Sequence, residues 1–597
     1  MNLNKIVNRL FSFLIFNLLI TSCEPSKYEI TSPVKQQSIQ RVDVMPNLPT
    51  PFKIIDYNQI AKDYDRLVYD PNQTGPYWPL IWKDSSRKNV DQETYGIYTA
   101  MGDARQGITH YKGIFHESLA SIGSVLGGSL VGVDKSNQKG ENYVGMLRNY
   151  FNSETNWNII MNNTSPEVAQ LGGGYARDWW YDVYPNLMFY AVADFYPDEK
   201  GYEPILRSVA DKFYEADQVL NGNYDYTFFD YEKMEPKKNW ICSQQDAAAG
   251  HAYVLYAAYQ RFKDPRYLEG AKSALEALLN LKENRFYEIL MPFGAYVAAR
   301  LNAEEGTNYD FSNLLDWTFD GDSVCREGWG VLVGNWNGYD ISGIIGSTVG
   351  FNPVNKNLKD VESEGFGFLM NTYDAMWPLV PMVRYDQRYA NTIGKWMLNA
   401  ANASRLFYPY EIPDDHQTIP EEKEHTKGVI AYEGLINKSH YVEEGLYLDV
   451  KAPVAIGDGM KWNKDNPKVS QFSVYGSGHV GIPGAIISKT SIENILQLDL
   501  LATDFYKGKA YPSYLYYNPN PEVKVVTIST TEQELKIYDA IQRAFIAKKV
   551  TGSFTFNISQ EHSSILVFVP QDAVISERGN KLYADDVVID YHYNKSK

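Results

Sequence analysis

Residues 243–280 read SQQDAAAGHAYVLYAAYQRFKDPRYLEGAKSALEALLN, and this stretch decides the fold. Its first half, residues 245–261, is small and apolar on nearly every face, as in a helix buried all round. From Arg266 the apolar positions are Tyr267/Leu268, Ala271, Ala274/Leu275 and Leu278/Leu279. They form one stripe at the 3.6-residue period, so this second helix faces water on its other side. Between them, Lys263-Asp264-Pro265-Arg266 stops one helix and starts the next, with Asp264 as N-cap and Pro265 at the first helical position. The stretch is an inner helix turned back into an outer one.

The unit recurs. Residues 179–195 (WWYDVYPNLMFYAVADF) are apolar all round, and residues 203–220 carry Ile205/Leu206, Val209, Phe213, Ala216 and Leu220 on one stripe. Residues 288–301 are mostly apolar, with a shorter partner near 311–317; residues 365–383 and 388–402 form another buried and amphipathic couple. Asp386-Gln387-Arg388-Tyr389 repeats the D-x-R-Y junction of Asp264-Pro265-Arg266-Tyr267. Residues 116–132 and 141–160 predict a first pair. Residues 427–438 and 472–507 predict a sixth, blurred by Gly476, Gly478, Gly481 and Gly484. Closed into a ring, the hairpins make a mainly α domain, an (α/α)6 toroid over residues 52–506.

Beyond residue 506 the period changes. Residues 523–529, 552–558, 564–570 and 587–591 are alternating or β-branched and predict strands. Residues 532–541 leave their state open. A small β-sandwich-like module is expected over residues 507–597.

The run Tyr256-x-x-Tyr259-x-x-Phe262-x-Asp264-Pro265-x-Tyr267-Leu268, followed by Ala271, resembles a helix junction common in six-hairpin, (α/α)6-toroid glycosidases and unsaturated-uronyl hydrolases. The resemblance spans roughly residues 77–506 and implies a fold, not a substrate.

Composition narrows the partners. With 46 Tyr and 12 Trp in 597 residues the chain is not disordered. A formal charge of −17 argues against a nucleic-acid partner. Lys5 and Arg9 precede an apolar segment at residues 10–20, too short for a typical membrane span, which ends in Leu19-Ile20-Thr21-Ser22-Cys23. That ending resembles the lipobox of bacterial lipoproteins. It implies a signal peptide over residues 1–22, lipidation of Cys23 and a membrane-anchored protein of the bacterial cell envelope; the alternative is an ordinary secretory signal. Polar residues 24–51 read as a tether, making 23–51 one segment. Cys242 and Cys325 then remain, able to form one disulfide or to serve as buried small hydrophobes.

In a ring of inner helices, functional carboxylates belong just before or within the first turn of each. Four places fit. In Gly172-Gly173-Gly174-Tyr175-Ala176-Arg177-Asp178-Trp179-Trp180-Tyr181-Asp182, Asp178 and Asp182 share a helical face, and Trp179 and Trp180 suit sugar stacking. The W-x-x-D segment resembles the place where unsaturated-uronyl hydrolases keep an acidic catalyst, with Asp182 at the matching position. The bland reading has Asp178 as a cap and Asp182 paired with Arg177. Asp246 stands at the mouth of the best inner helix, with Gln245 and His251 as sugar-binding partners; the alternative is an acid favoured by the helix dipole. Glu364 opens the helix that carries Asp374, after a long loop at 317–361 holding Trp329 and Trp336. The last place, Met101–Arg105 with His110, His116 and Glu117, reads more simply as a polar turn.

Paired carboxylates across a funnel are the requirement of glycoside hydrolysis. No H-E-x-x-H, paired-Cys, G-x-S-x-G or P-loop motif occurs, so neither metal nor cofactor is expected. The expectation is a lipid-anchored glycoside hydrolase acting on a poly- or oligosaccharide, with Asp178 or Asp182, Asp246 and Glu364 as acid/base candidates. The alternatives are a polysaccharide lyase or sugar epimerase, for which His425, His440 or His479 could serve with a Tyr, and a non-catalytic glycan-binding lipoprotein.

Overall fold

The computed structural model describes residues 32–101, 116–152, 156–164, 178–348, 365–437, 450–457 and 472–593. The leader, Cys23, the Gly172–Gly174 run, Glu364, His110 and His440 lie outside the described residues.

The helices are α1 (Gln40–Asp43), α2 (Tyr57–Val68), α3 (Ser118–Leu130), α4 (Tyr143–Met146), α5 (Trp179–Phe195), α6 (Tyr202–Leu220), α7 (Ala247–Phe262) and α8 (Pro265–Leu279). There follow α9 (Met291–Glu304), α10 (Ser312–Asp320), α11 (Leu369–Tyr385), α12 (Ala390–Ser404), α13 (Lys423–Thr426), α14 (Val474–Gly478) and α15 (Gly481–Ile486). Five of them, α3, α5, α7, α9 and α11, are buried over nearly their whole length. Their packing runs in a circuit: α3 on α5, α5 on α7, α7 on α9, α9 on α11, and α11 back to α3 through α14 and α15. The amphipathic α2, α6, α8, α10 and α12 lie against them from outside.

The opening hairpin forms as its sequence requires. Asp264 accepts from Arg266 N at 3.0 Å, and Lys263 takes the left-handed conformation that ends α7. The second D-x-R-Y junction repeats the geometry, with Asp386 accepting from Arg388 N at 3.2 Å and from its guanidinium at 2.8 and 2.6 Å.

The centre of the circuit is filled. Tyr184, Tyr253, Phe293, Trp377 and Phe505 meet ring to ring at centroid distances of 5.1–6.2 Å. At the C-terminal ends of the inner helices, buried Asp504 accepts from Tyr296 Oη at 2.6 Å and Arg384 Nη1 at 2.9 Å. The N-terminal ends of α5, α7, α9 and α11 gather at the opposite face, where the carboxylates stand.

Several expectations are corrected. Among the described residues of 141–160, α4 and the 3₁₀ turn Leu147–Tyr150 stand in place of one long helix. The expected sixth pair is instead two short strands, Ala431–Tyr432 and Gly434–Ile436, and the short α14 and α15. The glycines there have a packing reason: a Cβ on Gly481 would lie 2.1 Å from Gly127 O, and one on Gly127 would lie 2.2 Å from Gly478 O. Two backbones touch where longer, side-chain-bearing helices could not. The described part of the tether, from residue 32, is a strap on the folded body. Val34 N donates to Ile541 O, Gln36 Nε2 to Gln387 O and Arg41 Nε to Val331 O, while Ile39 and Val42 are buried.

The loop expected at 317–361 contributes strands Trp329–Val331 and Ile345–Ser347 to a five-stranded antiparallel sheet. Its other strands are Phe366–Phe368, Gly434–Ile436 and Val454–Ile456, so separate connections between helices assemble one sheet. Phe366–Phe368 runs straight into α11 and fixes where that helix starts.

The C-terminal β region begins at Ile487 rather than residue 507. Its main sheet runs Ile487–Lys489, Leu496–Asp499, Ser513–Tyr517, Ser563–Pro570, Leu535–Asp539, Ala544–Val550, all antiparallel. Leu535–Asp539 resolves the open state of residues 532–541 as strand. The sheet packs on α12 through Ser513–Tyr517 and Ser563–Pro570.

Candidate active site

Two of the inner helices, α5 and α7, open on an aspartate whose side chain is turned away from capping. Asp178 occupies the N-cap position of α5 and Asp246 that of α7, yet neither side chain caps its helix. Both turn to the segment that leads into α9. Tyr287 N donates to Asp246 Oδ2 at 3.1 Å, and Tyr287 Oη donates to Asp178 Oδ2 at 3.4 Å. The next residue, Glu288, takes an ion pair from Arg326 Nη1 and a hydrogen bond from Asn371 Nδ2, 3.0 Å from Oε2. Two carboxylates, Asp178 and Asp246, therefore converge on Tyr287, and the adjacent Glu288 brings a third to the same place.

Arg326 is itself fixed. Its guanidinium lies 3.8 Å from the centre of the Trp329 ring, a cation–π contact, and Trp329 Nε1 donates to Glu288 O at 3.2 Å. A disulfide between Cys242 and Cys325 joins the loop before α7 to the loop after α10, four residues before Asp246 and one before Arg326. Gln244 Oε1 accepts from Trp180 N at 3.0 Å, locking the same loop to the first turn of α5.

Electrostatics differ among the three acids. Burial pushes Asp178 up to about 7 and the Glu288 charge adds to it, against the Tyr287 hydroxyl and the Arg326 charge, which favour ionisation. The Trp180 indole N–H also favours the ionised form, yet neither that nitrogen nor Asp178 Oδ1 completes a well-formed hydrogen bond. Burial likewise pushes Asp246 up to about 7, opposed by the Tyr287 backbone N–H and helped by Glu288. Helix N-termini favour anions by about 0.3–1 kcal/mol, less than one pKa unit at about 1.4 kcal/mol per unit. Desolvation wins here, and both aspartates are largely protonated in mild acid and about half ionised near neutral pH. Glu288 receives two donors, one cationic, the environment of an acceptor carboxylate.

Comparison with known proteins yields distant likenesses. No protein-family model and no curated protein matches the chain. Among solved structures, a GH127 β-arabinofuranosidase superposes with a TM-score of 0.36 at 11% identity, covering 91% of this chain and 84% of that one. A GH127 β-L-arabinofuranosidase from Geobacillus stearothermophilus T6 gives 0.31 at 11%, covering 90% and 86%. A structure described as a glycoside hydrolase gives 0.33 at 10%, covering 79% and 76%. Likenesses this weak assign no family, and the functional reading is built on the side chains.

Of the residues expected at the site, Asp178, Asp246 and Trp329 are brought together, with Trp180 beside Asp178. The others part company. Asp182 is buried in the first turn of α5, where its carbonyl accepts from Asn186 Nδ2 at 2.8 Å. Asp374 is buried within α11 against His479, Nδ1 to Oδ1 at 2.6 Å. His479 Nε2 reaches Leu119 O at 3.1 Å, so the ring donates both N–H groups. Burial works against its charge, but Asp374 and that carbonyl outweigh it and raise its pKa. His479 is thus a clamp in the core, not a lyase base. His425 pairs with Glu422 at 2.6 Å, away from the three carboxylates.

The sugar-binding expectation for His251 is overturned. It is fully buried beside Phe213, Trp179 and Tyr224, with Nε2 2.9 Å from Tyr231 Oη, and burial lowers its pKa to about 3. Trp179 is fully buried too, stacked on Tyr224 and Phe229, because the strand Phe228–Asp230 covers it. Trp329 offers its face to Arg326 rather than to solvent. Trp336 is half-buried on Gly365, and Gln245 is half-buried beside Gln244. His116 bridges Asp84 at 2.9 Å and Tyr150 at 2.6 Å in the core.

Sequence reasoning missed Glu288, Arg326 and Asn371. For Glu288 a signal existed. Pro292 belongs in the first turn of a helix, which sets the start of α9 at Met291 and leaves Glu288 in the preceding segment. Glu433 was missed as well: its carbonyl accepts from Leu369 N at the start of α11, and its carboxylate accepts from Tyr475 Oη at 2.5 Å. Among the described residues no group of three His, Cys, Asp or Glu is arranged to hold a metal ion.

Proposed function

We propose that this chain is a glycoside hydrolase in which Asp178 is the general acid and Glu288 the general base or nucleophile. The observation that carries the reading is the contrast within one cluster. Asp178 is held protonated to about pH 7 with Oδ1 lacking a well-formed hydrogen bond, while Glu288 receives an arginine and an amide. Asp178 would pass its proton to the leaving glycosidic oxygen as that bond breaks. Glu288 would take a proton from the attacking water, or attack the anomeric carbon itself. Asp246, behind Tyr287, acts as a buried neutral acid that limits the negative charge beside Glu288. In this reading the circuit of inner helices is the (α/α)6 toroid, and the carboxylates stand at its open mouth.

The test is turnover on arabinan, xylan, β-glucan, pectate and alginate by the full chain in detergent. New reducing ends without the ultraviolet absorbance of an unsaturated uronyl product support hydrolysis. Asp178→Asn is expected to lower kcat/KM by about 10²–10⁴-fold, the usual contribution of general acid catalysis. Formation of the unsaturated product, or full activity of Asp178→Asn, overturns the assignment.

The envelope location is part of the same proposal. Residues 5–23 support cleavage before Cys23 and lipidation of its thiol.

A further inference from the structure

The three tryptophans at the mouth are covered, but a fourth is not. Trp240 is 60% exposed, well above the other described tryptophans, and stands two residues before Cys242. Tryptophan, apolar in its ring and polar at its N–H, is enriched at surfaces made for contact. Here the loop is fixed at both sides. Thr227 Oγ1 donates to Ile241 O at 3.3 Å and accepts from Asn239 N at 3.3 Å, and Asn239 Oδ1 accepts from Ile241 N at 2.8 Å. These bonds pin the turn carrying Trp240 to Thr227, whose own carbonyl accepts from Trp179 N, the residue after Asp178. The disulfide ties the other side to Cys325, the neighbour of Arg326. Trp240 is thereby held in register with both the acid and the group that holds the base.

Its surroundings are amphipathic. Val324, 52% exposed, flanks Cys325, so each of the two loops joined by the disulfide carries an exposed apolar side chain. On the polar side Lys238 pairs with Asp225 at 2.7 Å. An apolar ring face beside ordered charged groups suits a pyranose or furanose, which presents C–H bonds on one face and hydroxyls at its edge.

We propose that Trp240 is the stacking platform of an outer subsite, binding a sugar residue of a glycan that extends from the carboxylates across the disulfide-bridged rim. Continuity points to the occupant: Trp240 and Val324 stand on the two loops that the disulfide joins, and those loops run on to Asp246 and Arg326 of the candidate active site. It makes the enzyme one for oligo- or polysaccharides rather than single glycosides. The proposal rests on the hydrolase reading for its catalytic consequence, but the subsite makes its own prediction for binding.

The experiment uses wild type, Trp240→Ala and Trp240→Phe in two assays. One is turnover of arabino-, xylo- and cello-oligosaccharides of two to six units. The other is affinity electrophoresis of Asp178→Asn and Asp178→Asn/Trp240→Ala in gels containing soluble arabinan, arabinoxylan or β-glucan. For the series that is cleaved, the preference in kcat/KM for the hexamer over the dimer is expected to fall roughly tenfold in Trp240→Ala, mainly through KM, the size of one aromatic stacking contact. Trp240→Phe is expected to restore most of it. Retardation by polysaccharide is expected to be lost with the indole. Cleavage whose length preference is unchanged in Trp240→Ala overturns the subsite and leaves the hydrolase standing. Retardation that depends on Trp240 without cleavage supports the subsite and overturns the hydrolase. Neither cleavage nor retardation overturns both. A wild-type dimer that Trp240→Ala dissolves, seen by sedimentation, assigns the indole to self-association and also overturns the subsite.

Discussion

Replacing Asp246 by Asn tests whether the mouth is built at the expense of stability. Asp246 is buried, with a pKa raised from 3.8 to about 7, and one backbone N–H donates to it. A carboxyl whose pKa is higher in the folded than in the unfolded chain stabilises the fold most below its unfolded value, near 3.9. That contribution is lost as pH rises through about 7. The three-unit shift is worth about 4 kcal/mol over the whole window, of which about 2.6 kcal/mol falls between about pH 5 and pH 8. Asn has the same shape, still accepts from Tyr287 N and does not titrate. At an unfolding entropy of about 2.1 cal/mol/K per residue over the chain, 2.6 kcal/mol moves Tm by roughly 2 °C. Scanning calorimetry of wild type and Asp246→Asn at one scan rate should therefore show the variant gaining about 2 °C relative to wild type on going from about pH 5 to 8. Because both proteins share every other titrating group, the difference isolates Asp246. A gap that does not change with pH, or one that moves against the variant, would refute the reasoning. Activity is expected to fall in the same variant, since the neutral acid behind Tyr287 tunes the field at Glu288.

Two further outcomes follow from the same contacts. Tyr287→Phe removes a donor that favours ionised Asp178, so the alkaline fall of kcat/KM, expected near pH 7 in wild type, should move upward by roughly half to one unit; a downward shift in the pH–rate profile would contradict the role given to that hydroxyl. The Cys242→Ser/Cys325→Ser protein loses a cross-link over 83 residues, about 4–5 kcal/mol in the chain-entropy model, and should melt several degrees lower with weaker catalysis; dithiothreitol on wild type should reproduce it, and equal melting of reduced and oxidised protein would dismiss the bridge as a brace.

The contrast between Asp264 and Asp246 shows how far reading from sequence reaches. Both stand at the start of helices, and both can be read as caps. Asp264 is one, bonding Arg266 N two residues away. Asp246 is not, because Tyr287, distant in sequence, offers its N–H instead. Likewise Trp179 and Trp240 are both tryptophans near inner-helix mouths. One is covered by Tyr224 and Phe229 and the other is left exposed by the turn on which it sits.

By itself the sequence determined the hairpins α5–α6 and α7–α8, the paired D-x-R-Y junctions and the face on which carboxylates had to be sought. Those features depend on periodicity and capping within about four residues, which any short window contains. Only the tertiary structure decided that Glu288 and Arg326 complete the cluster, that His251 and Trp179 belong to the core, that two segments between helices build one sheet, and that residues 32–51 strap the body. Ionisation and exposure are set by whatever packs alongside. For Asp178 that neighbour is Tyr287, 109 residues on.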